Sequence, residues 1–134
     1  MAVIDASVYV TMLDANDPER ANCLAWFTTA ATTDETIVAP SLILSEVAAA
    51  ISRGRGEAEL AKAVVRTLEE SAVVNLVAVT PQLAKRAAII AADQRVRGAD
   101  AIYLALAQQL GDVLVTLDRQ QLQRGAAVAK TQHP

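Results

Sequence analysis

Short apolar runs alternate with longer amphipathic segments along the whole chain. The runs Ala2–Ile4, Ile37–Ala39, Val73–Val79 and Val113–Thr116 are rich in apolar and mostly β-branched residues and predict buried strands, and Ala127–Ala129 predicts an edge strand. Connections of roughly thirty residues or more between the first four runs suit crossovers rather than hairpins. The pattern therefore predicts a single domain over residues 1–134 with an α/β fold, a three-layer α/β/α sandwich around a mainly parallel sheet.

The segments between the strands carry helical spacing of apolar residues and signals for helix starts. Thr80 before Pro81 and Asp17 before Pro18 are typical of an N-cap followed by proline at the first helical position. The predicted helices are Ala6–Leu13, a helix that begins at Asp17, Ser41 to about Ile51, Leu60–Leu68, Pro81–Ala91, about Ala99 to Leu110, and a helical turn over Asp118–Leu122.

The composition limits the chemistry that the chain can perform. A single cysteine, Cys23, excludes an internal disulfide and a cysteine-based zinc cluster, and the single histidine, His133, lies next to the last residue. No segment predicts a membrane span or a secretory signal, so we expect a cytoplasmic protein with no membrane partner. The net charge of −3 argues weakly against indiscriminate nucleic-acid binding. Any catalysis must therefore depend on carboxylates.

Four acidic residues stand in unusual contexts. Asp5 follows the first strand and Asp118 follows the fourth, and the carboxyl ends of parallel strands share one edge of a sheet. Asp100 lies at the start of a helix that is apolar on all sides, and Glu46 lies inside the apolar segment Leu42–Ile51. An ionised carboxylate in such a segment needs a cation, a hydrogen-bond donor or a cleft.

Helix capping is an alternative interpretation for three of these residues. Asp5, Asp100 and Asp118 could each be an N-cap, and Asp118 with Gln121 has the spacing of a capping box. Glu46 cannot be a cap. If the four acids converge, their mutual repulsion requires a cation, and carboxylates without histidine or cysteine favour the hard ions Mg²⁺ or Mn²⁺.

Four short motifs in order resemble one family over nearly the whole chain. They are Val3-Ile4-Asp5-Ala6-Ser7, Ser45-Glu46-Val47, Gly98-Ala99-Asp100-Ala101-Ile102 and Val115-Thr116-Leu117-Asp118-Arg119. On these motifs the chain resembles PIN domains, specifically the VapC-like ribonuclease toxins of type II toxin–antitoxin systems. The resemblance implies a five-stranded parallel sheet, Mg²⁺-dependent endoribonuclease activity, a homodimer, and inhibition by a cognate antitoxin protein.

The resemblance also implies roles for individual residues. Asp5, Glu46, Asp100 and Asp118 would be the catalytic, metal-binding acids, and Ser7 and Thr116 match polar positions that support the site. The hypothesis is that water activated by the metal attacks the RNA phosphodiester in line, leaving a 5′-phosphate and a 3′-hydroxyl. Candidates to bind the RNA backbone are Arg53, Arg55, Arg95, Arg97 and Arg119, each of which could equally be a solvated surface residue.

The chain departs from the family pattern in two respects. The last motif ends Asp118-Arg119-Gln120-Gln121-Leu122, where relatives often place a phenylalanine, and we interpret this departure as one of packing more than chemistry. The aromatic content of 3% leaves few rings on which RNA bases could stack. The alternative function is a degenerate, non-catalytic PIN-like interaction module, although degeneration usually begins with the loss of an acid and all four are present.

Overall fold

A computed structural model describes the whole chain, residues 1–134. Five short strands form one sheet, and seven α-helices flank it. The strands are β1 (Ala2–Ile4), β2 (Ile37–Pro40), β3 (Val74–Val77), β4 (Val113–Val115) and β5 (Thr131–Gln132). The helices are α1 (Ala6–Leu13), α2 (Arg20–Thr32), α3 (Ile43–Arg55), α4 (Ala58–Glu69), α5 (Pro81–Gln94), α6 (Gly98–Leu110) and α7 (Arg119–Arg124).

All strand pairs in the sheet are parallel, and the strand order is β3-β2-β1-β4-β5. The predicted α/β architecture with a five-stranded parallel sheet is therefore confirmed. The chain runs outward from β1 to β3 in one direction and then continues through β4 to β5 on the other side. Because the order reverses at β1, a crevice opens beyond the carboxyl ends of β1 and β4. Ile4 pairs with Val115, so Asp5 and Thr116 leave the sheet side by side.

One apolar core of 29 buried residues lies between the sheet and the helices. Helix α6 is its centre, because Ala101 and every residue from 103 to 107 are buried and the helix packs against β1, β2 and β4. The apolar composition of this segment on all sides predicted that burial. Cys23 is also a buried core residue, as expected. None of the helices has the length and hydropathy that a membrane span would require.

The predicted edge strand at Ala127–Ala129 is wrong. Gly125–Ala127 form a 3₁₀ turn, and the Val128 and Ala129 amides both donate to the Gly125 carbonyl, at 2.9 and 3.0 Å. Alanine has little preference for strands, whereas Thr131 supplies the β-branched residue that pairs with Leu114. Gly125 itself is buried against Leu104 and Thr131.

Two predicted helix starts also differ from the structure. Ser41 is not an N-cap, because its amide still donates to the Val77 carbonyl at 2.8 Å as a continuation of the sheet, and α3 begins at Ile43 without a side-chain cap. Asp17 caps a turn that precedes α2: its Oδ1 accepts from the Glu19 amide at 2.8 Å, and the helix begins at Arg20.

Candidate metal centre and active-site cleft

Asp5 lies directly after β1, and four donors hold its carboxylate. Asp5 Oδ1 accepts from Ser7 Oγ at 2.5 Å and from the Val8 amide at 3.4 Å, so the residue does cap α1. Asp5 Oδ2 accepts from Thr116 Oγ1 at 2.6 Å and from Gln121 Nε2 at 2.8 Å. Even so, burial raises the pKa of Asp5 above its ordinary value. Asp5 therefore both caps α1 and lies among the predicted acids.

The segment after β4 is folded against Asp5 by its own hydrogen bonds. Thr116 Oγ1 accepts from the Asp118 amide at 3.0 Å, and Ser7 Oγ accepts from the Leu117 amide at 3.2 Å. Asp118 Oδ1 in turn caps α7 by accepting from the Gln121 amide at 2.9 Å. The second carboxylate oxygen of Asp118, Oδ2, is not used by the cap and pairs with Arg97 at the crevice.

Asp100 lies in the first turn of α6, where the N-cap residue is Arg97 and not Asp100. Arg97 forms ion pairs with two acids, through Nε to Asp100 Oδ2 at 2.8 Å and through Nη2 to Asp118 Oδ2 at 3.1 Å. Burial raises the pKa of Asp100, although the Arg97 charge opposes that shift. The positively charged Arg97 guanidinium therefore lies between two of the predicted acids.

Glu46 projects from α3 towards α6 and finds the donor that its apolar surroundings require. Tyr103 Oη, which is buried, donates to Glu46 Oε2 at 2.5 Å. Burial raises the pKa of Glu46, and the charges of Asp100 and Asp5 raise it further. The charges of two of the other predicted acids, Asp100 and Asp5, therefore act on Glu46.

One open cleft of about 560 Å³ brings the four predicted acids together. Ser7, Arg53 and Arg97 also line it, while Thr116 lies buried beneath. Three predicted arginines lie elsewhere. Arg55 donates to the Leu13 carbonyl at 3.4 Å beside a separate groove, and Arg95 and Arg119 are exposed and do not line the cleft.

Sequence reasoning missed Tyr103 and the role of Gln121. Gln121 does not complete a capping box, because the Asp118 amide bonds to Thr116 instead, and the Gln121 side chain reaches Asp5 and Asp100. The departure in this segment therefore affects the hydrogen bonding of two acids as well as packing. The spacing of Tyr103 three residues after Asp100, on the same helical face, is the one sequence signal that could have indicated its place.

The donor set fits a hard divalent cation, although no three acids converge as a ready-made ligand cluster. No histidine or cysteine lines the cleft, and burial raises the pKa of three of its carboxyl groups, so an added positive charge would stabilise their ionised forms. The Arg97 guanidinium supplies some of that charge in the place where Asp100 and Asp118 meet. A metal ion that bound both of these acids would displace Arg97.

Comparisons with known proteins agree with this fold. The family model of the PIN domain matches residues 2–127. The crystal structure of Mycobacterium tuberculosis VapC20, a sarcin–ricin loop cleaving toxin, is similar with a TM-score of 0.80 and 19% identity, covering 100% of each chain.

Two similar structures are complexes. One is a toxin–antitoxin complex from Klebsiella pneumoniae, with a TM-score of 0.68 and 16% identity over 100% of this chain and 98% of that one. The other is DNA-bound VapBC from Salmonella typhimurium, with a TM-score of 0.70 and 17% identity over 98% and 96%. No curated protein is significantly similar in sequence. Since the family model covers nearly the whole chain, the chain belongs to the PIN domain family.

Proposed function

We propose that the chain is a metal-dependent endoribonuclease, the toxin of a toxin–antitoxin pair, acting in the cytoplasm. The observation that carries the proposal is the cleft at the carboxyl ends of β1 and β4, which four carboxylates line and in which burial raises three of their pKa values. Membership of the PIN family supports a nuclease, and the toxin–antitoxin structures with the same fold support an antitoxin partner. We expect a homodimer, as in VapC-like relatives.

Mg²⁺ or Mn²⁺ would be held by Asp5, Glu46, Asp100 and Asp118. When bound, it would supply a Lewis acid that lowers the pKa of water and neutralises charge on the phosphodiester. The chain's own residues prepare the ligands: Ser7 and Thr116 fix the Asp5 carboxylate from opposite oxygens, and Tyr103 holds Glu46. Hydrolysis would leave a 5′-phosphate and a 3′-hydroxyl.

Arg53 is the arginine best placed to bind an RNA phosphate in this arrangement. It lines the cleft from α3, is exposed, and makes no ion pair with any of the four acids. Its Nε donates to the Ala49 carbonyl at 3.3 Å, which leaves the two Nη groups for phosphate oxygens. Arg97 would become available in the same way if a metal ion competed with it for Asp100 and Asp118. We expect both to contribute to RNA affinity more than Arg55, Arg95 and Arg119.

The proposal is tested by incubating the purified protein with a mixed structured RNA pool in Mg²⁺, in Mn²⁺ or in EDTA. We expect cleavage with either metal, none in EDTA, and products whose 5′ ends carry phosphate. Cleavage that persists in EDTA would contradict the proposal. Should no RNA in the pool be cut, calorimetry with Mn²⁺ decides, because absence of metal binding would favour the non-catalytic interaction module.

We expect Arg97→Gln to bind Mn²⁺ more tightly than the wild type. The substitution removes the cation that occupies the Asp100–Asp118 pair, but the Arg97 side chain is 72% exposed, so solvent screens the ion pairs and limits the gain to about two- to fivefold. Titration calorimetry measures the affinity. Arg53→Gln is the matched control, because it removes the same charge from the same cleft without touching a carboxylate. An equal gain in Mn²⁺ affinity in both variants would contradict direct competition between Arg97 and the metal for the two acids.

A further inference from the structure

Gln121, the third residue of α7, is a buried amide that contacts two of the predicted metal ligands. Its side chain is only 1% exposed, and Nε2 donates to Asp5 Oδ2 at 2.8 Å and to Asp100 Oδ1 at 3.2 Å. Its Oε1 is a buried side-chain polar atom without any hydrogen-bond partner. Burying an unpaired carbonyl oxygen is unfavourable, so packing alone does not explain an amide here. The two hydrogen bonds that Nε2 donates to Asp5 and Asp100 explain why an amide is present.

The amide and Arg97 bind different oxygens of Asp100. Arg97 is largely exposed at the cleft and bonds to Asp100 Oδ2, whereas Gln121 is buried and bonds to Asp100 Oδ1. Oδ2 is therefore the oxygen that Gln121 leaves to a charged partner, which is Arg97 in this structure. The hydrogen bond from Gln121 fixes which of the two oxygens faces that partner.

The chemistry of a primary amide suits this position. Two neighbouring carboxylates repel one another, and each N–H of one amide nitrogen can satisfy one of them. A methionine or leucine would leave both buried oxygens without this donor. A lysine would satisfy them with a permanent cation and would compete with the metal. The neutral amide brings Asp5 and Asp100 together without adding charge.

We propose that Gln121 is a positioning residue of the metal site, whose single amide nitrogen ties Asp5 Oδ2 to Asp100 Oδ1 and so fixes the orientation of both carboxylates. The inference rests on the metal centre of the proposed function and assigns to this chain a ligand-orienting group on α7. Gln121 acts through the two acids to which it donates.

The test is titration calorimetry of purified protein with Mn²⁺ alone, for the wild type, Gln121→Met and Gln120→Met. Methionine preserves the length of the side chain and removes both hydrogen bonds. We expect Gln121→Met to bind Mn²⁺ about 10–100-fold more weakly, the range found when hydrogen-bond partners of metal ligands are replaced. Gln120→Met makes the same chemical change at an exposed position of the same helix and should leave the affinity unchanged.

Circular dichroism shows whether each variant is folded, and Gln121→Asn serves if Gln121→Met is not. Its amide is one methylene shorter and cannot reach both acids, so we again expect weaker binding. A lower melting temperature with wild-type Mn²⁺ affinity would show a merely structural role and overturn the assignment, as would tighter binding. If the wild type itself binds no Mn²⁺, the metal centre of the proposed function is wrong and Gln121 has no such role. If the wild type and the Gln121 variants bind Mn²⁺ with equal affinity, the role of Gln121 is overturned but the metal centre of the proposed function is not.

Discussion

Asp5→Asn and Asp100→Asn are each expected to reduce RNA cleavage by more than about 100-fold, which is more than the loss typical when a mere hydrogen-bond partner of a metal ligand is replaced. Each substitution removes a carboxylate that lines the cleft and replaces one of its oxygens with an N–H donor that cannot bind a cation. Gel assays of RNA cleavage in Mg²⁺ and Mn²⁺ measure the effect.

The variants should remain folded. Burial raises the pKa of both acids, which means that their ionised forms are less stable here than in water, and removal of the charge offsets part of the hydrogen bonding that is lost. Asp93→Asn, on an exposed face of α5, is the matched control and should cleave as the wild type does. If either the Asp5→Asn or the Asp100→Asn variant still cleaves RNA, the activity comes from a contaminating nuclease and the assignment of the active site is refuted.

Gly125→Ala is expected to destabilise the protein by about 1–3 kcal/mol, the range for overpacking of a core. A Cβ at Gly125 would overlap Leu104 Cδ2 and approach Thr131 Cγ2 to 3.3 Å. Leu104 is fully buried in α6, so it has little room to adjust. Denaturant unfolding followed by circular dichroism measures the change.

Gly54→Ala is the control for the previous substitution. Gly54 lies in α3, is exposed, and has nothing within 4 Å of an added Cβ. Alanine there should stabilise the protein by about 0.5–1 kcal/mol, because glycine is the poorer helix former. A similar change in both variants would mean that Gly125 is not constrained by packing.

The sequence was sufficient to predict four of the five strands and the presence of the four acids in one cleft, for identifiable reasons. Asp5 and Asp118 each follow a strand, and parallel strands place their carboxyl ends at one edge. Glu46 was conspicuous because an acid in an apolar helix needs a partner. The prediction of a strand at Ala127–Ala129 failed because three small apolar residues do not distinguish a strand from a turn. Backbone hydrogen bonds to the Gly125 carbonyl stabilise the turn.

The partners of the acids could not be predicted in the same way. Gln121 is an ordinary polar residue on a short helix, and only the tertiary fold brings it to Asp100, 21 positions away in the sequence. Arg97 is three residues from Asp100, but its second ion pair, with Asp118, likewise depends on the tertiary fold. Tyr103 was counted among the apolar residues of α6, and its hydroxyl acquires a role only because Glu46 of α3 lies opposite. Contacts of this kind depend on tertiary geometry that local spacing does not encode.

The hydrogen bond between Thr116 and Asp5 joins residues that are 111 positions apart, and the one from Gln121 joins positions separated by 116. Loops of such length close late and slowly, because the chain loses much conformational entropy before the contact stabilises it. During synthesis β1 emerges well before β4 and α7, which complete the cleft. A partly made chain that lacks them therefore has Asp5 but no finished cleft. If the proposed function is correct, the nascent chain has no nuclease activity until α7 has emerged.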